Sequence, residues 1–119
     1  MKNIIVVTGG AGFVGSNLID LLINKTKYKI LSIDNYSSGK NKNHIKNKRI
    51  TYIKGDTKNI TKILGYKKKS VQTIFHFGEF SRIYQSFLKM KECIESNSVG
   101  TNAVFNFCLN NNIKLIYSA

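Results

Sequence analysis

The chain has 119 residues, 42% of them hydrophobic and 21% charged, and a formal net charge of +13, which bounds it to one domain at most. An excess of 19 basic over 6 acidic residues first suggests nucleic acid or an anionic membrane as partner. Neither is expected: only Arg49 and Arg82 are arginines, the lysines are spread over several segments, Lys, Asn and Ile share A/T-rich codons, and no RNA-binding aromatic motif or zinc spacing accompanies the charge.

The first apolar run, Ile4-Ile5-Val6-Val7-Thr8, predicts a strand over about 3–8. It runs directly into Gly9-Gly10-Ala11-Gly12-Phe13-Val14-Gly15, with Gly9, Gly12 and Gly15 at every third position. A helix is predicted over 13–25, with Val14, Leu18, Leu21 and Leu22 on one face. Strand, glycine turn and helix start form the geometry that holds a dinucleotide pyrophosphate. The helix N-terminus presents unpaired N–H groups at the positive end of the macrodipole, and glycine lets a phosphate approach the backbone. The second strand, 29–34, ends on Asp34, 19 residues beyond Gly15. That is close to the roughly 20-residue spacing of a carboxylate that accepts from the ribose hydroxyls of NAD. A carboxylate there also repels the extra phosphate of NADP. A plain turn aspartate beside Asn35 is the alternative.

A third strand at 50–54 and a helix at 58–64 follow. Lys67-Lys68-Lys69, the one lysine run, reads as a solvated turn leading into a fourth strand at 71–77. Helical pattern resumes at 82–90 and 92–110, where Cys93, Asn97, Gly100, Val104 and Phe107 form one stripe. Asn97 is the polar member of that stripe and needs partners, either neighbouring backbone or a site that it supports. The fifth strand, 113–118, is apolar on both faces apart from Lys114, as an interior parallel strand would be. Alternating strands and helices predict an α/β fold: a Rossmann-type, doubly wound parallel sheet of strand order 3-2-1-4-5. Ligands in such a sheet bind beyond the carboxyl ends of the strands, where the order reverses between strands 1 and 4. Gly9, Asp34, Asp56 and the segment His76-Phe77-Gly78-Glu79 all fall at those ends.

The segment Thr8-Gly9-Gly10-Ala11-Gly12-Phe13-Val14-Gly15-Ser16-Asn17-Leu18 resembles the opening of the extended short-chain dehydrogenase/reductase family, whose NAD-dependent nucleotide-sugar epimerases and dehydratases carry a TGxxGxxG turn. Asp34-Asn35-Tyr36-Ser37-Ser38-Gly39-Lys40 is similar to the segment after the second strand in UDP-glucose 4-epimerase-like members, and Gly55-Asp56 to the pair after the third. Asn97-Ser98-Val99-Gly100-Thr101 resembles the family's helix with an Asn three residues before a Gly-Thr pair. The resemblance covers the whole chain in the family's order. It implies NAD as cofactor, held by Gly9, Gly12, Phe13, Val14, Gly15, Asp34, Asn35, Ser38, Gly39, Asp56, Thr57, Phe77, Gly78, Glu79 and Asn97. In that reading Asp56 meets the adenine amino group and Asn97 helps hold the active-site loop. Ser81, Ile83 and Ser86 fit a stretch that lines the substrate side, which implies Ser81 and Ser86 there. After strand 4 the chain departs from the pattern of His, an apolar residue and two alanines. Gly78 keeps the small size; Glu79 puts a carboxylate in place of a methyl, turned either outward or toward ribose or substrate.

The family's proton shuttle is a tyrosine with a lysine four residues later, after strand 5, whereas this chain runs to Tyr117-Ser118-Ala119. Tyr36 and Lys40 have the spacing but follow strand 2, so no catalytic residue is assigned, and His76 reads as structural. The expectation is that residues 1–119 are the N-terminal part of an NAD-binding Rossmann domain, truncated after strand 5 and without the C-terminal substrate domain. The parent would be a nucleotide-sugar epimerase or dehydratase working by transient hydride transfer to NAD, and the chain would be inactive alone. The full-length form would take a nucleotide sugar, with a homodimer as an option. Another extended-family NAD-dependent oxidoreductase and a non-catalytic dinucleotide-binding module are the alternatives. Cys93 and Cys108, 15 apart, read as buried free thiols with no metal site. No secretory h-region and no run of about 18 apolar residues is present, so a soluble cytoplasmic protein without a membrane partner is expected.

Overall fold

The computed structural model describes residues 2–36, 41–77 and 99–117. Strands β1 (Ile4–Thr8), β2 (Lys29–Asp34), β3 (Ile50–Lys54), β4 (Val71–His76) and β5 (Lys114–Tyr117) form one sheet in the order β3-β2-β1-β4-β5, every neighbouring pair parallel. Helix α1 (Phe13–Lys25) links β1 to β2. A short α2 (Ile60–Leu64), entered through a 3-10 turn at Thr57–Asn59, lies between β3 and β4, and α3 (Thr101–Asn111) leads into β5. The sheet order is the expected one, and each strand starts and ends within a residue of its expected limits. The helix expected at 82–90 and the first part of that expected at 92–110 lie outside the described residues.

The middle strand, β1, is buried along its whole length. Its side chains alternate between two cores, as strand geometry dictates. Ile4 and Val6 join Leu31, Ile33 and Ile74 against Ile60 and Leu64 of α2 and Val104 and Phe107 of α3. Ile5 and Val7 join Ile30 against Ile19 of α1, flanked by Leu18, Leu22 and Ile23. A parallel sheet needs helices on both faces, and the near-continuous apolar character of β1 and β2 follows from that. In α3 the expected stripe is buried at Gly100, Val104 and Phe107, while Cys93 and Asn97 lie outside the described residues.

One face differs from expectation. Val14 and Leu21 are 57% and 52% exposed, and α1 buries Gly15 and Ile19 instead, with Leu18 and Leu22 partly buried beside them. Val14 and Leu21 sit one residue, about 100° of rotation, round the helix from Gly15 and Leu22. The close seat of Gly15 on the preceding turn fixes that rotation. At the other side of the sheet β5 pairs with β4 alone among the described residues. Phe105, Cys108, Leu109, Ile113 and Leu115 line a shallow apolar depression beside it. No described helix is long and apolar enough to cross a membrane.

Candidate functional site

The chain leaves β1 at Gly9 with φ of +73°, a conformation that residues with a Cβ rarely adopt. Gly9 N–H donates to Ile33 O at 2.8 Å and Gly12 N–H to Gly9 O at 3.0 Å, which ties the turn to β2 and closes it. Helix α1 then starts at once. A Cβ on Gly15 would lie 2.2 Å from Gly9 O and 2.9 Å from Gly10 Cα, so only glycine permits the helix to begin against the turn. Gly12 caps α1 without any side-chain hydrogen bond, and the first turn holds no acidic residue. Phe13 and Val14 are exposed. The N-terminus of a 13-residue helix thus faces solvent with uncapped N–H groups, the arrangement that receives an anion.

Asp34, at the end of β2, is buried against this turn. Its Oδ2 accepts Ala11 N–H at 3.0 Å and its Oδ1 accepts Tyr36 N–H at 2.7 Å. A carboxylate oxygen has about two lone pairs, so each oxygen retains capacity for a hydroxyl. Asn43 Nδ2 donates to Ala11 O at 2.7 Å, so the Ala11 residue is held through both its N–H and its carbonyl. Tyr36 has a left-handed backbone, φ +61°, and is held there from both ends. Its hydroxyl lies 2.6 Å from His44 Nε2, and the His44 ring stacks on Tyr52 with centroids 3.8 Å apart. Tyr52 Oη in turn accepts Ile45 N–H at 2.9 Å. This aromatic clasp ties Tyr36, two residues beyond β2, and His44 to Tyr52 of β3.

Gly55 N–H donates to Asp34 O at 3.0 Å, which sets Asp34 and Asp56 at adjacent strand ends. Asp56 Oδ1 accepts Lys58 N–H at 3.0 Å and caps the 3-10 turn, with Thr57 buried behind it. Phe77 follows β4, its N–H donating to Thr8 Oγ1 at 2.8 Å. His76 is fully buried. Its Nδ1 lies 2.8 Å from Thr8 Oγ1 and its Nε2 3.1 Å from Thr101 Oγ1, and its ring stacks on Tyr117. The imidazole thereby ties β1, β4, β5 and α3 together behind the glycine turn, the structural part expected of it.

Burial, and then the Asp34 charge and Tyr52, push the Tyr36 phenol above its ordinary range. That shift is opposite to the one that favours a tyrosine base; Lys40 lies outside the described residues. Burial pushes the Cys108 thiol up to about 11, which makes it inert packing. Among the described residues no three His, Cys, Asp or Glu side chains gather as a metal site.

Of the residues singled out in the sequence, Gly9, Gly12, Phe13, Val14, Gly15, Asp34, Asn35, Asp56, Thr57 and Phe77 come together along the carboxyl edge of the sheet. Ser38, Gly39, Gly78, Glu79, Ser81, Ser86 and Asn97 lie outside the described residues. Sequence reasoning missed the Ala11 N–H, Asn43, the Tyr36–His44–Tyr52 clasp and the two threonines that hold His76. Thr8 and Thr101 each stand beside a glycine of a quoted motif, a signal that was there to be used. Asn43 has none, because its partner is 32 residues away.

A family model described as NAD dependent epimerase/dehydratase family matches residues 5–119. Over 117 residues the chain is 32% identical to the ADP-L-glycero-D-manno-heptose-6-epimerase of Brachyspira hyodysenteriae, which covers 97% of this chain and 36% of that relative. It aligns with the solved UDP-N-acetylglucosamine 4-epimerase of Methanobrevibacter ruminantium M1 at a TM-score of 0.82 and 35% identity, over 100% of this chain and 38% of that one. With UDP-glucose 4-epimerase of Thermotoga maritima the TM-score is 0.84 at 26% identity, over 98% of this chain and 37% of that one. In each case the chain spans little more than a third of the relative's length.

Proposed function

The chain belongs to the NAD-dependent epimerase/dehydratase family, and from that premise we propose that it is the cofactor-binding portion of a nucleotide-sugar epimerase or dehydratase that works by transient hydride transfer to NAD. The observation that carries the reading is the Ala11 peptide. It joins an uncapped helix N-terminus to a buried carboxylate, and so puts an anion seat and a diol acceptor side by side. That pair fits the pyrophosphate and adenosine ribose of a dinucleotide.

Bound NAD supplies an acceptor for hydride from a sugar carbon. The chain's own residues bind and orient it. The N–H groups at Phe13 and Val14 take the pyrophosphate, Gly9 and Gly15 keep the approach clear, and Asp34 accepts from the ribose hydroxyls. Asp56 takes the adenine amino group, and Phe77 leads the chain past the cofactor after β4. Nearly two thirds of each relative's length has no counterpart in these 119 residues. Substrate recognition and proton transfer are assigned there, in a full-length protein that takes a nucleotide sugar.

Titration calorimetry tests the reading. The chain should bind NAD(H) in preference to NADP(H) by about 2 kcal/mol or more, because Asp34 would face a 2′-phosphate of like charge. Asp34→Ala should narrow that gap. Equal or tighter binding of NADP(H) by the unaltered chain overturns the assignment.

A further inference from the structure

The lysines are spread along the sequence, but folding gathers ten of the fourteen described ones; Lys42, Lys54, Lys58 and Lys62 lie elsewhere. Parallel strands all begin at one edge, and the register sets their starts level: Ile4 pairs with Lys29 and with Val71, Ile30 with Ile50, and Thr73 with Lys114. Each start is preceded or opened by lysine. Lys2 precedes β1; Lys25, Lys27 and Lys29 lead into β2; Lys46 and Lys48 lead into β3; Lys67, Lys68 and Lys69 lead into β4; Lys114 opens β5. Nine of these ten are exposed and Lys67 is half-buried. Arg49 stands among them with its guanidinium turned inward, donating to the carbonyls of Ile23, Thr26 and Tyr28 at the end of α1. Of the six acidic residues, Asp34 and Asp56 lie at the opposite edge, Asp20 sits midway along α1, and Glu79, Glu92 and Glu95 fall outside the described residues.

The cations extend in two dimensions. Five strand starts about 4.8 Å apart give a row about 19 Å long. Lys25 ends α1 on one face of the sheet, while Lys67–Lys69 follow α2 on the other. Tyr66, 87% exposed, projects beside that lysine turn. We propose that this amino-terminal edge docks on an anionic lipid bilayer, lysines against the headgroups and Tyr66 at the interface. A broad field of point charges spanning all three layers matches a plane rather than a strand in a groove. Lysine without arginine forks, around one amphipathic aromatic, is the composition of an interfacial contact rather than of base recognition. The opposite edge, with Asp34 and the glycine turn, would then face away from the membrane.

Cosedimentation of the 119-residue chain with vesicles tests this. It should bind vesicles containing phosphatidylserine at 0.1 M salt, release at 0.5 M, and ignore pure phosphatidylcholine. Lys27→Glu with Lys68→Glu takes one lysine from each layer; removing each nearby lysine costs roughly fivefold in binding and each glutamate adds repulsion, so the pair should lose at least on the order of thirtyfold. Lys54→Glu with Lys62→Glu makes the same charge change away from that edge and should lose little. Equal loss in both pairs reduces the effect to net charge and overturns the assignment, as does equal binding to neutral vesicles or none to charged ones. Displacement from charged vesicles by less than stoichiometric polyuridylate overturns it in favour of RNA. Circular dichroism of each pair confirms that surface charge alone has changed.

Discussion

Ser32 offers a test of the packing beneath the glycine turn. It lies in β2, is 1% exposed, and its Oγ has no hydrogen-bond partner. Gly10 crosses so close that a Cβ there would sit 2.0 Å from that oxygen and 2.8 Å from Ile19 Cδ1. A buried hydroxyl without a partner costs about 1–3 kcal/mol of desolvation. Ser32→Ala removes that cost. It leaves a gap of roughly one atom, worth about 0.4 kcal/mol at ~24 cal/mol per Å³, and gives up a few tenths in strand propensity. The balance is about +1 kcal/mol of stability, or roughly 4 °C in melting temperature for a domain of this size. Ser32→Val should do the reverse, because its extra methyl presses on Gly10 and Ile19, at a cost of about 1–3 kcal/mol. Thermal melts followed by far-ultraviolet circular dichroism, with urea midpoints beside them, read both changes. A lower or unchanged midpoint for Ser32→Ala would refute the reasoning and mean that the hydroxyl is paired in solution.

Three further outcomes are expected. Gly15→Ala drives a methyl into Gly9 O, so calorimetry should show NAD(H) binding weakened at least tenfold and the melt lowered by about 1–3 kcal/mol. Cys108 titrates near 11 in the fold against an ordinary 9.0, so its contribution is complete below pH 9 and is lost as pH climbs through 11. The urea midpoint should fall across that window, and Cys108→Ala should flatten the fall. Among the described residues β5 is paired on one side only, and Leu109 is 81% exposed beside it, so the chain should self-associate in dilute solution. Leu109→Lys should reduce the light scattered; a monodisperse monomer with a cooperative melt from the unaltered chain would contradict that expectation.

Much of the fold was legible because its signals are local. β-branched runs marked the strands, the glycine turn marked the start of α1 to the residue, and the Rossmann-type doubly wound pattern implied the strand order. The glycine turn and Asp34 were legible as a pair because their spacing reflects one βαβ unit. Periodicity did not give the buried face of α1, since Leu18 and Leu22 suit either of two stripes one residue apart; the seat of Gly15 on Gly9 decides between them. The Tyr36–His44–Tyr52 clasp, the Asn43 bond and the His76 ties join residues that only the folded chain brings together. The grouping of lysines at one edge was not legible for a related reason: spacing along the chain says nothing about which edge a loop reaches until the strands are known to be parallel.

The Ala11 residue is held at its N–H by Asp34 and at its carbonyl by Asn43 before any nucleotide arrives. Ordering of the turn and of Asp34, the proposed ribose acceptor, is therefore completed during folding, and little conformational entropy is left to lose on association. For a nucleotide that seats here, capture becomes a single step whose rate rises linearly with concentration, and differences among ligands lie in how long they stay. The same bond couples the two proposed subsites. A disturbance of the glycine turn should be transmitted to Asp34, so that the energies of contacts at the two do not add.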